Sequence, residues 1–204
     1  MLLAFDTSSV ACTAALFDGA GACVAQRDEL IGRGHAERLV PMIAELLDGR
    51  RPNQILVGIG PGSFTGIRVA IAAAHGLAIG WSAELNGMSS LALLAAGAAE
   101  GGGEVAAAVA GGHGELFVQQ FAAQTLEPTS SLRNLSPAGA AGVTTTQLVV
   151  GSGAQRLIDA RGSGEARELW PSAADALRLP ESLRSLAPKP VYARAPDARV
   201  KQAA

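Results

Sequence analysis

The stretch Gly60-Pro-Gly-Ser-Phe-Thr-Gly-Ile-Arg-Val-Ala70 joins a strand to a helix, and the rest of the chain is organised around that joint. Before it, Gln54 to Ile59 (QILVGI) is a short apolar run that predicts a buried strand. Gly60, Pro61 and Gly62 then turn the chain, glycine by admitting left-handed dihedrals and proline by fixing its own φ. Ser63 or Thr65 is placed to cap the following helix by accepting a backbone N–H. From Phe64 to Ile79 that helix is almost wholly apolar, and its charged or titratable members, Arg68 and His75, lie about 20° apart around its axis. A helix with so thin a polar stripe needs cover on nearly every side. One side can lie on the chain's own sheet. The other predicts a second surface.

Two familiar phosphate motifs do not fit this turn. A P-loop needs Lys and then Ser or Thr after its second glycine, and here Ile67 and Arg68 follow Gly66. The dinucleotide fingerprint begun at Gly58 would need glycine where Ser63 stands. The turn serves close packing, or its N-terminal amides hold an anion; spacing leaves both open.

The 204 residues suffice for one ordinary domain or two small ones. Hydrophobic residues make up 49% and charged ones 17%, an ample core under a sparsely charged surface. Formal net charge is −2, so no global basic field is available to hold a polyanion. The start MLLAFDTSS lacks a basic segment followed by an apolar one, so no signal peptide is expected. No run of roughly 18 uninterrupted apolar residues predicts a membrane span. Cys12 and Cys23 fall on neighbouring predicted strands and are expected as buried free thiols.

Working outward, Leu2 to Phe5, Cys12 to Phe17 and Ala22 to Asp28 predict a meander of three strands, with a hairpin turn at Asp18-Gly19. His35 to Asp48 predicts an amphipathic helix with Leu39, Met42, Ile43, Leu46 and Leu47 on one stripe. Pro41 either bends it or marks where its regular part begins. Ala36, Val40 and Ala44 form a second, small-residue edge. Ala83 to Gly87 predicts a strand and Ser89 to Ala99 a capped helix, and residues 100–103 (EGGG) a linker. Beyond it, Val105 to Ala110 and Leu116 to Phe121 form a hairpin, and Leu148 to Val150 a strand closing on Gly151. A helix follows from about Ala154, then a loop-rich stretch from Arg161 to Ala174 and a last strand at Val191 to Val200. Meander, helix, strand, helix, then a shorter repeat of the pattern predict an α/β chain of two halves, 1–100 and 101–204.

The run GPGSFTGIRVAIAAAHGLAIG closely resembles the signature of the TsaB (YeaZ) family, bacterial accessory proteins for making threonylcarbamoyladenosine in transfer RNA. LLAFDTSSVACTAALFD, GHAERLVPMIAELL, GELFVQQF, VVGSGAQRL and PVYARAPDARVK resemble further landmarks of the family, so the likeness covers most of the chain. It implies two ribonuclease H-like subdomains of the actin, sugar kinase and chaperone ATPase superfamily, the second reduced. It also implies a TsaD-like catalytic subunit as partner, a TsaE-like ATPase as third component, indirect contact with tRNA and a cytoplasmic location. The partner surface would be the two helices, through Ala36, Val40, Arg68, Val69, Ala72, Ala73, His75 and Gly76, and the isolated chain would form a homodimer. The turn Asp6-Thr7-Ser8 resembles the superfamily's first phosphate loop and Gly151 its adenosine loop. With Gly62 and Ser63 they make a candidate vestigial nucleotide or anion site, though Asp and Ser also occupy turns for local reasons.

The residues offer little for catalysis. His35, His75 and His113 contain no i,i+4 pair, so no single helix presents two imidazole ligands, and no H-E-x-x-H or zinc-spaced cysteines occur. Ser63 stands in P-G-S-F-T, which is not a nucleophile elbow. The TsaD partner carries a metal-binding H-x-x-x-H pair, so metal is expected there and no cofactor here beyond a nucleotide at the complex interface. One departure stands out: where the family has Asp and Arg before its Gly-Glu pair (here Gly114-Glu115), this chain has Ala110 and Gly112. The expected function is a non-catalytic scaffold. The alternatives are a small ATP-binding enzyme using Asp6, Gly62 and Gly151, or a glycoprotease-like peptidase.

Overall fold

The computed structural model describes residues 1–99 and 102–192. One five-stranded sheet is built from β1 (Leu2–Asp6), β2 (Ala11–Phe17), β3 (Cys23–Leu30), β4 (Gln54–Gly58) and β5 (Glu84–Met88), ordered β3-β2-β1-β4-β5. A second is built from β6 (Glu104–Ala110), β7 (Leu116–Ala122), β8 (Arg133–Leu135), β9 (Leu148–Val150) and β10 (Glu165–Arg167), ordered β10-β9-β6-β7-β8. In both, three strands form an antiparallel meander whose first member pairs in parallel with the fourth, and the fourth with the fifth. The same strand order therefore occurs twice.

Helices α1 (His35–Leu47) and α2 (Phe64–Trp81) cover the outer face of the first sheet, and α4 (Pro137–Val143) and α5 (Ala154–Arg161) that of the second. Between the sheets lie α3 (Ser90–Ala96) and the 3-10 turn Ala173–Arg178, and α6 (Glu181–Arg184) follows. Alternation along the strands assigns each side chain to its layer. In β2, Cys12, Ala14 and Leu16 face α1 and α2, while Ala15 and Phe17 face the inter-sheet core. Strands covered on both faces read as continuous apolar runs, as β2 does. The edge strand β3, with QRDE in its middle, is largely exposed. All seven residues of α3 are buried, so this helix is a shared core element.

Several elements differ from the sequence reading. Arg161 to Ala174 is not merely loop: it holds β10, an edge strand paired in parallel with β9. Between Phe121 and Leu148, in the half expected to be reduced, lie β8 and the Ser136-capped α4. The hairpin after β2 turns at Asp18-Gly19 as read, and Gly21, with φ 83, completes the turn by donating its N–H to Asp18 C=O (3.2 Å). The helix α1 is continuous through an exposed Pro41. Cys23 is exposed, not buried; Cys12 is buried, and both are free. They pair with Phe17 and Glu29 across the hairpin, at opposite ends of it, which keeps the thiols apart. The linker's Glu100 and Gly101, and the strand and tail expected beyond Tyr192, fall outside the described residues.

Candidate functional site

Gly58 at the end of β4 and two glycines of the signature, Gly62 and Gly66, are explained by the loop they lean on. A Cβ at Gly58 would overlap the Asp6 carboxylate, one at Gly62 the Ser8 carbonyl, and one at Gly66 the Thr7 carbonyl. The turn after β1 is therefore seated in the turn that opens α2, with no side chain between them. Hydrogen bonds close the contact: Ser63 N–H donates to Ser8 C=O (2.6 Å) and Thr7 Oγ1–H to Gly66 C=O (2.7 Å). Ser63 is the N-cap, its Oγ accepting from Gly66 N–H at 3.2 Å. Two helix-end groups that could meet an anion are thus already bonded within the chain.

The structure places Asp6, Thr7 and Ser8 against Gly62 and Ser63, with the first three closed off from solvent and Ser63 exposed. Asp6 is fully buried. Its Oδ1 accepts from Ser8 N–H (2.6 Å) and its Oδ2 from Ser90 Oγ–H (2.5 Å), while Ser90 Oγ accepts from Gly60 N–H (3.0 Å). The carboxylate therefore ties β1, the signature turn and α3 into one knot. Ser90, which the sequence pattern does not single out, is the residue that completes it; Ser89 provides the cap. Asp6→Asn is expected to lower unfolding stability by about 1–3 kcal/mol, the range for a hydrogen-bonded charged group. Denaturant unfolding checks this. An unchanged midpoint, with magnesium-dependent nucleotide binding lost in calorimetry, would assign Asp6 to a phosphate site instead. Gly151 is not part of this cluster; at φ 110 it sits against Ala108 and Leu94, over the second sheet.

The helix α2 is an open surface on its other side. Ile67, Ala70, Ile71 and Ala74 pack on the first sheet, whereas Arg68, Ala72, His75, Gly76, Ile79 and Gly80 are exposed, Ile79 at 82%. Among the described residues this is the one helix long and apolar enough to cross a membrane by length and composition, and 28% of it is buried within the chain. Beside it α1 exposes Ala36, Val40 and Ala44. Of the residues expected at a partner surface, Ala36, Val40, Arg68, Ala72, His75 and Gly76 are exposed. Val69 and Ala73 are half-buried, packed into the core beneath.

The border of that face carries a shared ion pair. The Arg38 guanidinium is bidentate to Glu29 of β3 (2.7 and 2.6 Å) and to Glu45 (2.8 and 3.0 Å). Its hydrogen bonds hold both carboxyls below the usual carboxylate range. A carboxyl depressed in the folded state stabilises above its unfolded pKa, about 4.3, and that contribution is lost as pH falls through the lower folded value. The melting-temperature gap between wild type and Arg38→Met is therefore expected to be widest near neutrality and to close toward pH 3. Burial, then Glu29, pushes the Cys12 thiol up to about 11, which leaves it unreactive beside Met42.

The three histidines lie on three different elements, α1, α2 and the 112–114 turn. Among the described residues no group of three or more His, Cys, Asp or Glu is placed to hold a metal ion. The Ser63 hydroxyl accepts from a backbone amide and, among the described residues, meets no imidazole or carboxylate.

Residues 28–146 match the family model for TsaD, tRNA N6-adenosine threonylcarbamoyltransferase. The chain is 37% identical over 128 residues to the Escherichia coli tRNA threonylcarbamoyladenosine biosynthesis protein TsaB, covering 59% of this chain and 54% of that protein. It thus spans about half the length of that curated relative. Two solved structures from Pseudomonas aeruginosa superpose on nearly all of it. An uncharacterized protein with similarity to the peptidase YeaZ gives a TM-score of 0.79 at 32% identity, covering 95% of this chain and 99% of that one. YeaZ itself gives 0.75 at 30% identity, covering 94% and 98%. With its duplicated sheets the molecule is an α/β protein of the TsaD type, the two-subdomain fold of the actin and sugar kinase superfamily. The chain belongs to the TsaB (YeaZ) family.

Proposed function

We propose that the chain is a non-catalytic scaffold subunit, docking a TsaD-like catalytic subunit on its α1–α2 face and supporting threonylcarbamoyl transfer to the adenosine beside the tRNA anticodon. The observation that carries this reading is α2, eighteen residues long and apolar, with 28% of it buried by its own chain. Exposed Ala72, Gly76 and Gly80, beside Ala36 and Ala44, let a partner helix approach closely, and apolar area removed from water supplies the attraction. The same surface accounts for a homodimer of the isolated chain, with which the partner competes. Metal and chemistry belong to the TsaD-like subunit, with a TsaE-like ATPase as third member. At a net charge of −2, tRNA contact is indirect. The name of the Escherichia coli relative supports the pathway.

The test is a modification assay with each subunit omitted in turn, followed by titration of this chain as Ser63→Ala, His75→Ala and Asp6→Asn. Losses are expected to follow partner affinity and to be recovered at higher subunit concentration. A true catalytic group would instead cost several kcal/mol at saturation. A variant that binds normally yet stays on the order of a thousandfold slower at saturation would place chemistry in this chain.

A further inference from the structure

Arg68 is the one charged side chain of α2, and it is held in place. Its guanidinium carbon lies 3.7 Å from the centroid of the Phe64 ring and 5.8 Å from that of Tyr192. Its Nε–H donates to Tyr192 Oη at 3.0 Å, and the two rings stand 5.8 Å apart, tilted by 33°. Tyr192 is delivered there by main-chain bonds: Leu186 pairs with Gly87 along the edge of β5, and Val191 N–H donates to Ile59 C=O (2.9 Å). The rings nevertheless remain half exposed, Phe64 at 56% and Tyr192 at 50%. Among the described residues, Arg68 Nη1 and Nη2 have no hydrogen-bond partner and no carboxylate pairs with Arg68.

A surface arginine on a free stem loses rotamer freedom when it binds, which is why exposed ion pairs contribute little. Here stacking and the Nε bond fix the plane of the fork, so little freedom is left to lose. The two free nitrogens form the end of that fork, whose spacing matches the two oxygens of a carboxylate. Partly exposed Tyr, Phe and Arg side by side are also the composition of energetic centres in protein interfaces.

We propose that Phe64, Arg68 and Tyr192 form a composite recognition site for a carboxylate on the docked partner protein, an aspartate or glutamate taken end-on by the Arg68 fork between two aromatic rings. The site continues the α2 face at its N-terminal end, so this inference rests on the docking surface proposed above and adds the chemistry of the contact. Charge complementarity selects the occupant: a cation with no acid paired to it among the described residues, beside aromatic rings. A single cation on a chain of net charge −2 is a poor site for a nucleic-acid phosphate.

The TsaD-like subunit from the same organism is titrated calorimetrically into wild type, Arg68→Lys, Arg68→Gln, Tyr192→Phe and Ala72→Asp at low and high salt, with circular dichroism confirming each fold. Arg68→Lys, which keeps charge but loses the fork, is expected to weaken binding about 10-fold. Arg68→Gln is expected to weaken it about 10- to 100-fold and to flatten the salt dependence. Tyr192→Phe, freeing the guanidinium, is expected to weaken it about 3-fold. Wild-type affinity and salt slope in both Arg68 variants would overturn the site. If Ala72→Asp then abolishes binding, the docking face stands and the carboxylate site alone has failed. If Ala72→Asp also binds normally, both readings fall together. Arg68→Gln effects confined to self-association, or to tRNA binding, would overturn the proposal in favour of a second copy or a phosphate.

Discussion

Ala72→Asp is expected to abolish association with the TsaD-like subunit while leaving the melting curve of the isolated chain unchanged. Ala72 is exposed in the middle of the α2 face, so an aspartate there is hydrated until a partner arrives. On docking it becomes an unpaired carboxylate in an apolar contact, a penalty of several kcal/mol and so of at least about 100-fold in affinity. Self-association of the isolated chain is expected to fall with it. Ala73 makes the contrast, since it is half-buried and packs into the core beneath α2. Ala73→Asp is expected to lower stability before it can report on binding. Light scattering and calorimetry decide the matter: a monomer at every concentration, with partner binding undisturbed by Ala72→Asp, would remove the α1–α2 face from the account.

The second large effect is a difference between two glycines of one helix. By intrinsic propensity any Gly→Ala change inside α2 stabilises by about 1 kcal/mol. At Gly76 nothing lies within 4 Å of an added Cβ, and Gly76→Ala is expected to raise stability by about 0.5–1 kcal/mol. At Gly66 the same methyl would overlap the Thr7 carbonyl oxygen, a backbone atom held by the β1–β2 turn. Gly66→Ala must therefore part that turn from α2 and break the Thr7–Gly66 hydrogen bond. A loss of about 3 kcal/mol or more is expected, in the range of severe overpacking. Paired denaturant curves measure both, and a stabilising Gly66→Ala would show the two turns to be separable.

Much of this was legible because the deciding patterns are local. The apolar run 54–59, the glycines after it and the Ser63 cap specify a strand, a turn and a helix within about twenty residues. The excess of apolar surface on α2 could be read off its single thin polar stripe. The sequence did not indicate which residues of α2 face out, because a helix apolar all round has no face to read; the sheet chooses Ile67, Ala70, Ile71 and Ala74. The strand β10 was hidden because Glu-Ala-Arg has no pattern of its own and is held as a strand by pairing with β9. The Asp6–Ser90 knot and the Arg68–Tyr192 contact join positions 84 and 124 residues apart, and neither leaves a local trace. In a chain that is 4% aromatic, its sole tyrosine was the available hint. Asp6, read as a candidate phosphate ligand, has both oxygens bonded inside the fold.

The burial of α3 bears on how this chain could be divided. From one side of that helix Ser90 reaches Asp6 at the end of β1 in the first sheet, and a turn later Leu94 lies against Gly151 beside the second. Seven consecutive residues with no solvent-facing position belong to neither half alone. Fragments separated at residues 100–103 would each expose half of that seam, so neither is expected to persist as a folded species without the other. A wedge of leucine and alanine fills the space between the sheets, so the chain is expected to unfold as one cooperative unit, its innermost amides exchanging with water only when all of it opens.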